Sequence, residues 1–261
     1  KIRPMRIKNV RVFTESQVFE EGEIHISDGL FTEKSGDGGE TLDGGGCYAI
    51  PGLTDIHLHG CKGADFCDGT PRALETIARY EASVGVTTFA PAVMTLPVKE
   101  LEAILATAAD YRKNDKKHRY GADLAGINME GPFISRERKG AQNGADIIPC
   151  SAAAFRRFQR AAEGLVKYIA IAPEIPGALP FLEQVKGEVR VSVGHTDASY
   201  EQAKEAFDRG ACHAVHLYNG MAPFTSRAPG AVGAVCDSGH VTAELICDRI
   251  HVHPSVVRAT F

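Results

Sequence analysis

From residue 49 onward the chain repeats one rhythm, a short apolar run followed by a stretch with helical spacing of its apolar side chains, and that repetition leaves few architectures open. Apolar runs begin at Ala49, Val86, Leu124, Val166, Val189, Ala211 and Val241, and a further one covers residues 231–235. Helical patterns lie at residues 72–83, 98–111, 151–163, 179–186 and 199–209. Strands that are apolar throughout and alternate with helices belong in a parallel sheet covered by helices. The expected fold is α/β, a (β/α)8 TIM-like barrel, with a doubly wound sheet as the alternative. A closed barrel has eight strands and these runs supply seven, so the barrel is expected to lack its last strand within the 261 residues. Residues 257–261 read as the start of a helix.

The first fifty residues have a different period. Apolar and polar side chains alternate over residues 7–13 and 23–26 between Gly and Asp-Gly turns, which predicts a small antiparallel β module. The clusters Asp37-Gly38-Gly39 and Gly44-Gly45-Gly46 mark the expected boundary. Residues 1–50 are thus expected to form part of a small β-sandwich domain, and residues 51–261 the barrel.

Charge and cysteine usage exclude several function classes. Lys plus Arg number 29 against 33 Asp plus Glu, a net charge of −4, so there is no basic surface of the kind nucleic acid requires. The long uncharged run at residues 82–98 is broken by Pro91 and Pro97 and does not suit a membrane span. Seven cysteines without a C-x-x-C pair read as free thiols in a reducing compartment. With no apolar signal segment after the basic N-terminus, the expected location is the cytoplasm.

Chemistry in a β/α barrel sits at the C-terminal ends of the strands. The first run ends Thr54-Asp55-Ile56-His57-Leu58-His59-Gly60. Residues two apart in a strand share a face, so both imidazoles are expected to look into one space. The third run ends Met129-Glu130-Gly131-Pro132-Phe133, where a Gly-Pro turn is expected to redirect the chain. The fifth ends Gly194-His195-Thr196-Asp197 and the sixth His216-Leu217-Tyr218-Asn219. By strand parity His213 points away from His216 and reads as structural, as do His25, His118 and His240. His57, His59, Glu130, His195 and His216 together make a ligand set for a catalytic divalent ion such as Zn²⁺. Such an ion polarises a carbonyl and activates water, which suits amide hydrolysis.

The stretches Pro51 to Gly60, Met129-Glu130-Gly131-Pro132-Phe133, Gly194 to Ala198, His216 to Met221, Arg227-Ala228-Pro229-Gly230 and His251-Val252-His253-Pro254 resemble the N-acetylglucosamine-6-phosphate deacetylases of the amidohydrolase superfamily. The resemblance implies hydrolysis of the acetamide of N-acetyl-D-glucosamine 6-phosphate to D-glucosamine 6-phosphate and acetate. It implies that Glu130, His195 and His216 hold the catalytic metal. His57 and His59 match a pair that holds a second ion in some members, so one or two ions are expected, Zn²⁺ first, with Fe²⁺ or another divalent ion as alternatives. Asn219 and Gly220 would offer backbone N–H groups to the sugar phosphate, His251 would contact it, and Gln142 and Asn143 would line the substrate, Gln142 as an oxyanion donor. Arg227 would reach a neighbouring subunit's site in a homodimer. The general-base Asp of these enzymes would lie past residue 261. Two alternatives stay open, another amidohydrolase acting on a related N-acetyl amino sugar or a cyclic amide, and a sugar-phosphate-binding chain without turnover.

Overall fold

A computed structural model describes residues 3–34, 39–114 and 120–261, so Asp37, Gly38 and His118 lie outside the described residues. The chain divides into two compact units at Leu53 and Thr54. In the first, β1 (Met5–Phe13), β2 (Phe19–Ser27), β3 (Leu30–Thr32) and β4 (Glu40–Ala49) form one sheet in the order β3-β2-β1-β4. The pairs β1–β2 and β2–β3 are antiparallel, but β1–β4 is parallel, so the expected antiparallel module is a mixed sheet. The glycines at 44–46 do not end the unit; they lie inside β4, where the register against β1 shifts between Lys8 and Val10. Gly45 and Gly46 have φ of 58° and 79°, and a Cβ on Gly44 would come within 2.2 Å of Val10 Cγ1. A bulge built on positive φ needs glycine, which explains the cluster.

The second unit carries the strand–helix rhythm. Its elements are β5 (Leu53–Asp55), β6 (Gly60–Cys61), β7 (Ala64–Asp65), α1 (Pro71–Ser83), β8 (Val86–Phe89), β9 (Ala92–Val93), α2 (Val98–Lys113), β10 (Asp123–Leu124) and β11 (Ile127–Phe133). They continue with α3 (Ala152–Ala161), β12 (Val166–Ile171), α4 (Ala178–Gln184), β13 (Arg190–Val193), α5 (Tyr200–Asp208), β14 (His213–Ala214), α6 (Gly230–Cys236), β15 (Thr242–Ala243) and α7 (Pro254–Thr260). Two sheets run in the orders β10-β8-β5 and β15-β14-β13-β12-β11-β9. The pairs β8–β10, β9–β11, β11–β12, β12–β13, β13–β14 and β14–β15 are all parallel. Among the described residues the seven expected runs each contribute a strand, in chain order around a β/α barrel arc.

Several runs are shorter or more broken than their sequence suggests. The run from Val86 divides at Pro91, which has no N–H for the ladder. The Gly131-Pro132 step, expected as a turn, lies within β11, and the register against β12 shifts between Met129 and Phe133. The apolar run at 231–235 is the buried helix α6, because continuous apolarity carries no period to separate helix from strand.

Helices begin where side chains can replace missing backbone acceptors. Thr70 accepts from the Ala73 N–H with Pro71 opening α1, Ser151 caps α3, and Ser199 with Gln202 forms a capping box on α5. Their inner faces bury Leu74 and Ile77, Phe155 and Phe158, and Phe207. Phe133 of β11 stacks edge-on against Phe181 of α4 at 5.3 Å, fixing the strand that carries Glu130 to the helical layer. Each such ring removed from water contributes about 1.5–3 kcal/mol.

Candidate metal centre

Glu130 occupies the middle of the site. Every residue of β11 is buried, and Glu130 is 4% exposed. Its neighbour must be small: a Cβ on Gly131 would lie 2.0 Å from Thr95 Oγ1 and 3.2 Å from Gln142 Oε1. The Gln142 side chain uses that space, accepting from the Thr95 N–H at 2.7 Å and donating from Nε2 to Glu130 Oε2 at 3.2 Å. Gln142 therefore touches the carboxylate itself.

Four imidazoles face this carboxylate through Nε2. The separations to Glu130 oxygens are 3.5 Å for His57, 3.3 Å for His59, 3.1 Å for His195 and 2.9 Å for His216. In each ring Nδ1 is occupied on the other side: by the Ala92 carbonyl for His59, the Arg138 carbonyl for His195, the Asn219 carbonyl for His216, and the Glu244 carboxylate for His57 at 2.6 Å. An Nδ1 proton given to an acceptor leaves the lone pair of a neutral ring on Nε2, the tautomer that metal ligation requires. The five side chains fall into two groups sharing Glu130, His57–His59–Glu130 and Glu130–His195–His216, with ligand atoms all within 4.8 Å of one another in each.

The backbone that aims these rings departs from the sequence expectation. His57 and His59 follow β5 outside any strand, so strand parity is not what turns them inward. They face one carboxylate nonetheless, with ring centroids 5.4 Å apart. His195 and His216 lie beyond the ends of β13 and β14, with φ of 45° and 30°. Left-handed conformations on non-glycine residues cost about 1–3 kcal/mol each and persist where the surroundings hold them. Gly220, at φ 61°, closes around His195, where a Cβ would sit 3.0 Å from Nδ1.

Glu244, just past β15, is the residue that sequence reasoning missed. One of its oxygens takes His57 Nδ1 at 2.6 Å and the His216 N–H at 3.2 Å, and the other faces His213 Nε2 at 3.0 Å. His213 is therefore one step from the centre, and its Nδ1 meets Thr242 Oγ1 at 2.7 Å. The signal that could have found Glu244 is the one that found Glu130, a carboxylate embedded in an apolar run at a strand end.

Charge follows this geometry. Burial opposes ionisation of Glu130, but its contacts with the His195, His216 and His57 imidazoles hold it far below the usual carboxylate range. Burial also opposes a charged His57, and the Glu130 and Glu244 carboxylates overcome it, raising the imidazole to about 10. Burial likewise works against ionised Glu244, yet His213 and His57 hold it at about 2. The site gathers carboxylate oxygens and imidazole nitrogens, a donor set that fits a divalent cation.

The other residues expected at the site take less central places. The Asn219 N–H donates to the His216 carbonyl at 2.9 Å and closes the turn after His216. Asn143 caps a short helical turn, accepting from the Ala145 N–H. Arg227 is exposed on a loop and lines a cavity of about 490 Å³ with Asp197 and Tyr200. His251 is exposed and held by Asp248, which its N–H and Nδ1 meet at 2.9 and 2.6 Å. His25 lies 3.5 Å from Glu23, and His240 Nε2 meets the Phe207 carbonyl at 3.3 Å. All seven cysteines, which lie among the described residues, are free thiols. No helix among the described residues is long and apolar enough to cross a membrane.

No model of a protein family matches the chain. It is 34% identical over 263 residues to N-acetylglucosamine-6-phosphate deacetylase of Bacillus subtilis, covering 98% of this chain and 66% of that protein. It is 31% identical over 248 residues to N-acetylgalactosamine-6-phosphate deacetylase of Escherichia coli O157:H7, covering 95% of this chain and 65% of the relative. The solved structure of the Mycobacterium smegmatis N-acetyl-D-glucosamine-6-phosphate deacetylase, as a mutant in complex with N-acetyl-D-glucosamine-6-phosphate, superposes with a TM-score of 0.84 at 29% identity, over 98% of this chain and 66% of that one. The chain thus spans about half to two thirds of the length of the curated relatives it matches. With sequence and fold similar over nearly all of its own length, the chain belongs to the N-acetylglucosamine-6-phosphate deacetylase family of amidohydrolases.

Proposed function

We propose that His57, His59, Glu130, His195 and His216 hold a divalent metal, Zn²⁺ first and Fe²⁺ as the alternative, in one or two positions, and that the protein hydrolyses the acetamide of N-acetyl-D-glucosamine 6-phosphate to D-glucosamine 6-phosphate and acetate. The observation that carries this reading is the convergence of four Nε2 atoms on Glu130. A divalent ion bound there lowers the pKa of water toward about 7 and polarises a carbonyl.

The chain's own groups supply the rest. Gln142, held by the Thr95 N–H and by Glu130, has a second amide hydrogen for the carbonyl oxygen of the acetamide. Gly220, without a side chain, lets backbone approach the sugar phosphate next to Asn219, and His251 contacts the bound sugar. Arg227, a fork donor suited to phosphate and exposed on its loop, reaches a neighbouring subunit's site in a cytoplasmic homodimer. The departing amine needs a general acid to protonate it.

Acetate release tests the reading. The expected result is turnover of N-acetyl-D-glucosamine 6-phosphate that a chelator abolishes and that exceeds turnover of the unphosphorylated sugar by at least about 100-fold. Equal rates on both sugars would overturn the phosphate assignments. The similarity to the N-acetylgalactosamine-6-phosphate enzyme favours the 4-epimer as a second reading, and the ratio of kcat/KM for the two phosphorylated sugars decides between them.

A further inference from the structure

His57 differs from the other three imidazoles in what steers it. His59, His195 and His216 rest Nδ1 on the backbone carbonyls of Ala92, Arg138 and Asn219, acceptors that belong to the main chain and survive side-chain substitution. His57 alone of the four rests on a replaceable side chain, that of Glu244 at 2.6 Å. The Glu244 backbone is itself pinned, its N–H donating to the Ala214 carbonyl and its carbonyl accepting from the Leu217 N–H, at 2.9 and 2.8 Å. Its carboxylate is therefore presented at a set place, 14% exposed, with its second oxygen held against His213.

Resting on the metal reading above, we propose that Glu244 is a positioning residue that sets the metal affinity of the His57–His59 half of the centre, independently of the Glu130–His195–His216 half. A carboxylate on Nδ1 fixes the tautomer and heading of a ligating imidazole and raises the basicity of Nε2, and such outer partners are worth 10- to 100-fold in metal affinity. The same oxygen also takes the His216 N–H, but the His216 ring keeps its heading through the Asn219 carbonyl. Loss of Glu244 thus falls on the half that holds His57.

Titration of the metal-free protein with Zn²⁺, followed by calorimetry and by metal analysis after desalting, tests this with Glu244→Ala and Glu244→Gln. Wild type is expected to take up two ions per chain. Glu244→Ala is expected to hold the first ion within about 3-fold of wild type and to bind the second 10- to 100-fold more weakly. Glu244→Gln, which keeps an acceptor of the same shape, should fall between. Without metal, the long-range ¹⁵N–¹H spectrum should show the His57 Nδ1–H signal in wild type and its loss in the alanine variant. Unchanged affinity for both ions in Glu244→Ala, or equal weakening of both, overturns the proposal. A wild type that binds a single ion overturns it too while leaving the metal-dependent hydrolase standing, whereas a wild type that binds none removes both. Should Glu244→Ala fail to fold by circular dichroism, the glutamine variant decides by the same comparison.

Discussion

His195 and His216 face each other through their Nε2 atoms at 3.1 Å, and both nitrogens approach the same oxygen of Glu130, at 3.1 and 2.9 Å. Each ring has its Nδ1 on a backbone carbonyl, so two Nε2 atoms and a carboxylate oxygen are turned toward one point. That arrangement suits a shared cation. Glu130→Gln removes the shared anion, and metal affinity should fall by more than about 100-fold, beyond the range of outer partners. Competition with a chelating dye measures it, and wild-type loading of the variant would contradict the shared role.

Metal uptake should expel a proton from His57. Raised to about 10, this imidazole is protonated at pH 8 in the metal-free protein, and ligation needs the neutral ring. Filling that half should release about one proton, so the calorimetric enthalpy at pH 8 should vary with the ionisation enthalpy of the buffer. An enthalpy independent of buffer would place the proton elsewhere.

The same pair sets the pH dependence of the metal-free fold. His57 is raised from 6.5, so its contribution is complete below about 6.5 and is lost as pH rises toward about 10. Glu244 is lowered from 4.5, so its contribution is complete above about 4.5 and is lost as pH falls toward about 2. For this pair the metal-free protein is most stable between about pH 4.5 and 6.5. Urea midpoints at pH 6 and 9 should therefore show the lower value at pH 9, and equal midpoints would argue against the coupling.

Gly220→Ala should affect both stability and metal binding. Its φ of 61° disfavours alanine, and the new methyl would lie 3.0 Å from His195 Nδ1. A loss of about 1 kcal/mol or more is expected in urea denaturation, with weaker metal binding because His195 must move. Wild-type stability in the variant would show that the turn accommodates a side chain.

Phe181→Ala provides the contrast. The ring is 1% exposed and packs against Phe133 and Phe155. Truncation should cost about 3–5 kcal/mol while the folded fraction keeps its metal stoichiometry. Loss of metal sites in the folded fraction would tie this layer to the centre more directly than the contacts suggest.

The strand–helix rhythm was legible because its signals are local. Ser151, Ser199 and Thr70 cap helices close to where the sequence pattern begins, and every apolar run but that at 231–235 contributes a strand. His57, His59, Glu130, His195 and His216 were legible too, since a ligand-type side chain that closes an apolar run is costly to bury unless a partner satisfies it. Glu244 carries the same local signal, but its role was not legible, because its partners His57, His213 and His216 are 28 to 187 positions away and no local period connects them.

The sequence by itself thus determined the order of elements, the parallel sheet and which side chains could meet at the strand ends, because periodicity and capping act within a few residues. Tertiary structure alone decided how they meet. His195 and His216 turn inward through left-handed backbone that no propensity favours, His57 and His59 lie outside the strand that was to orient them, and β11 runs through Gly131-Pro132. For His57, His59 and His195 the headings depend on acceptors contributed by distant segments, the Glu244 carboxylate and the Ala92 and Arg138 carbonyls, and such partners come within reach only when the chain has folded.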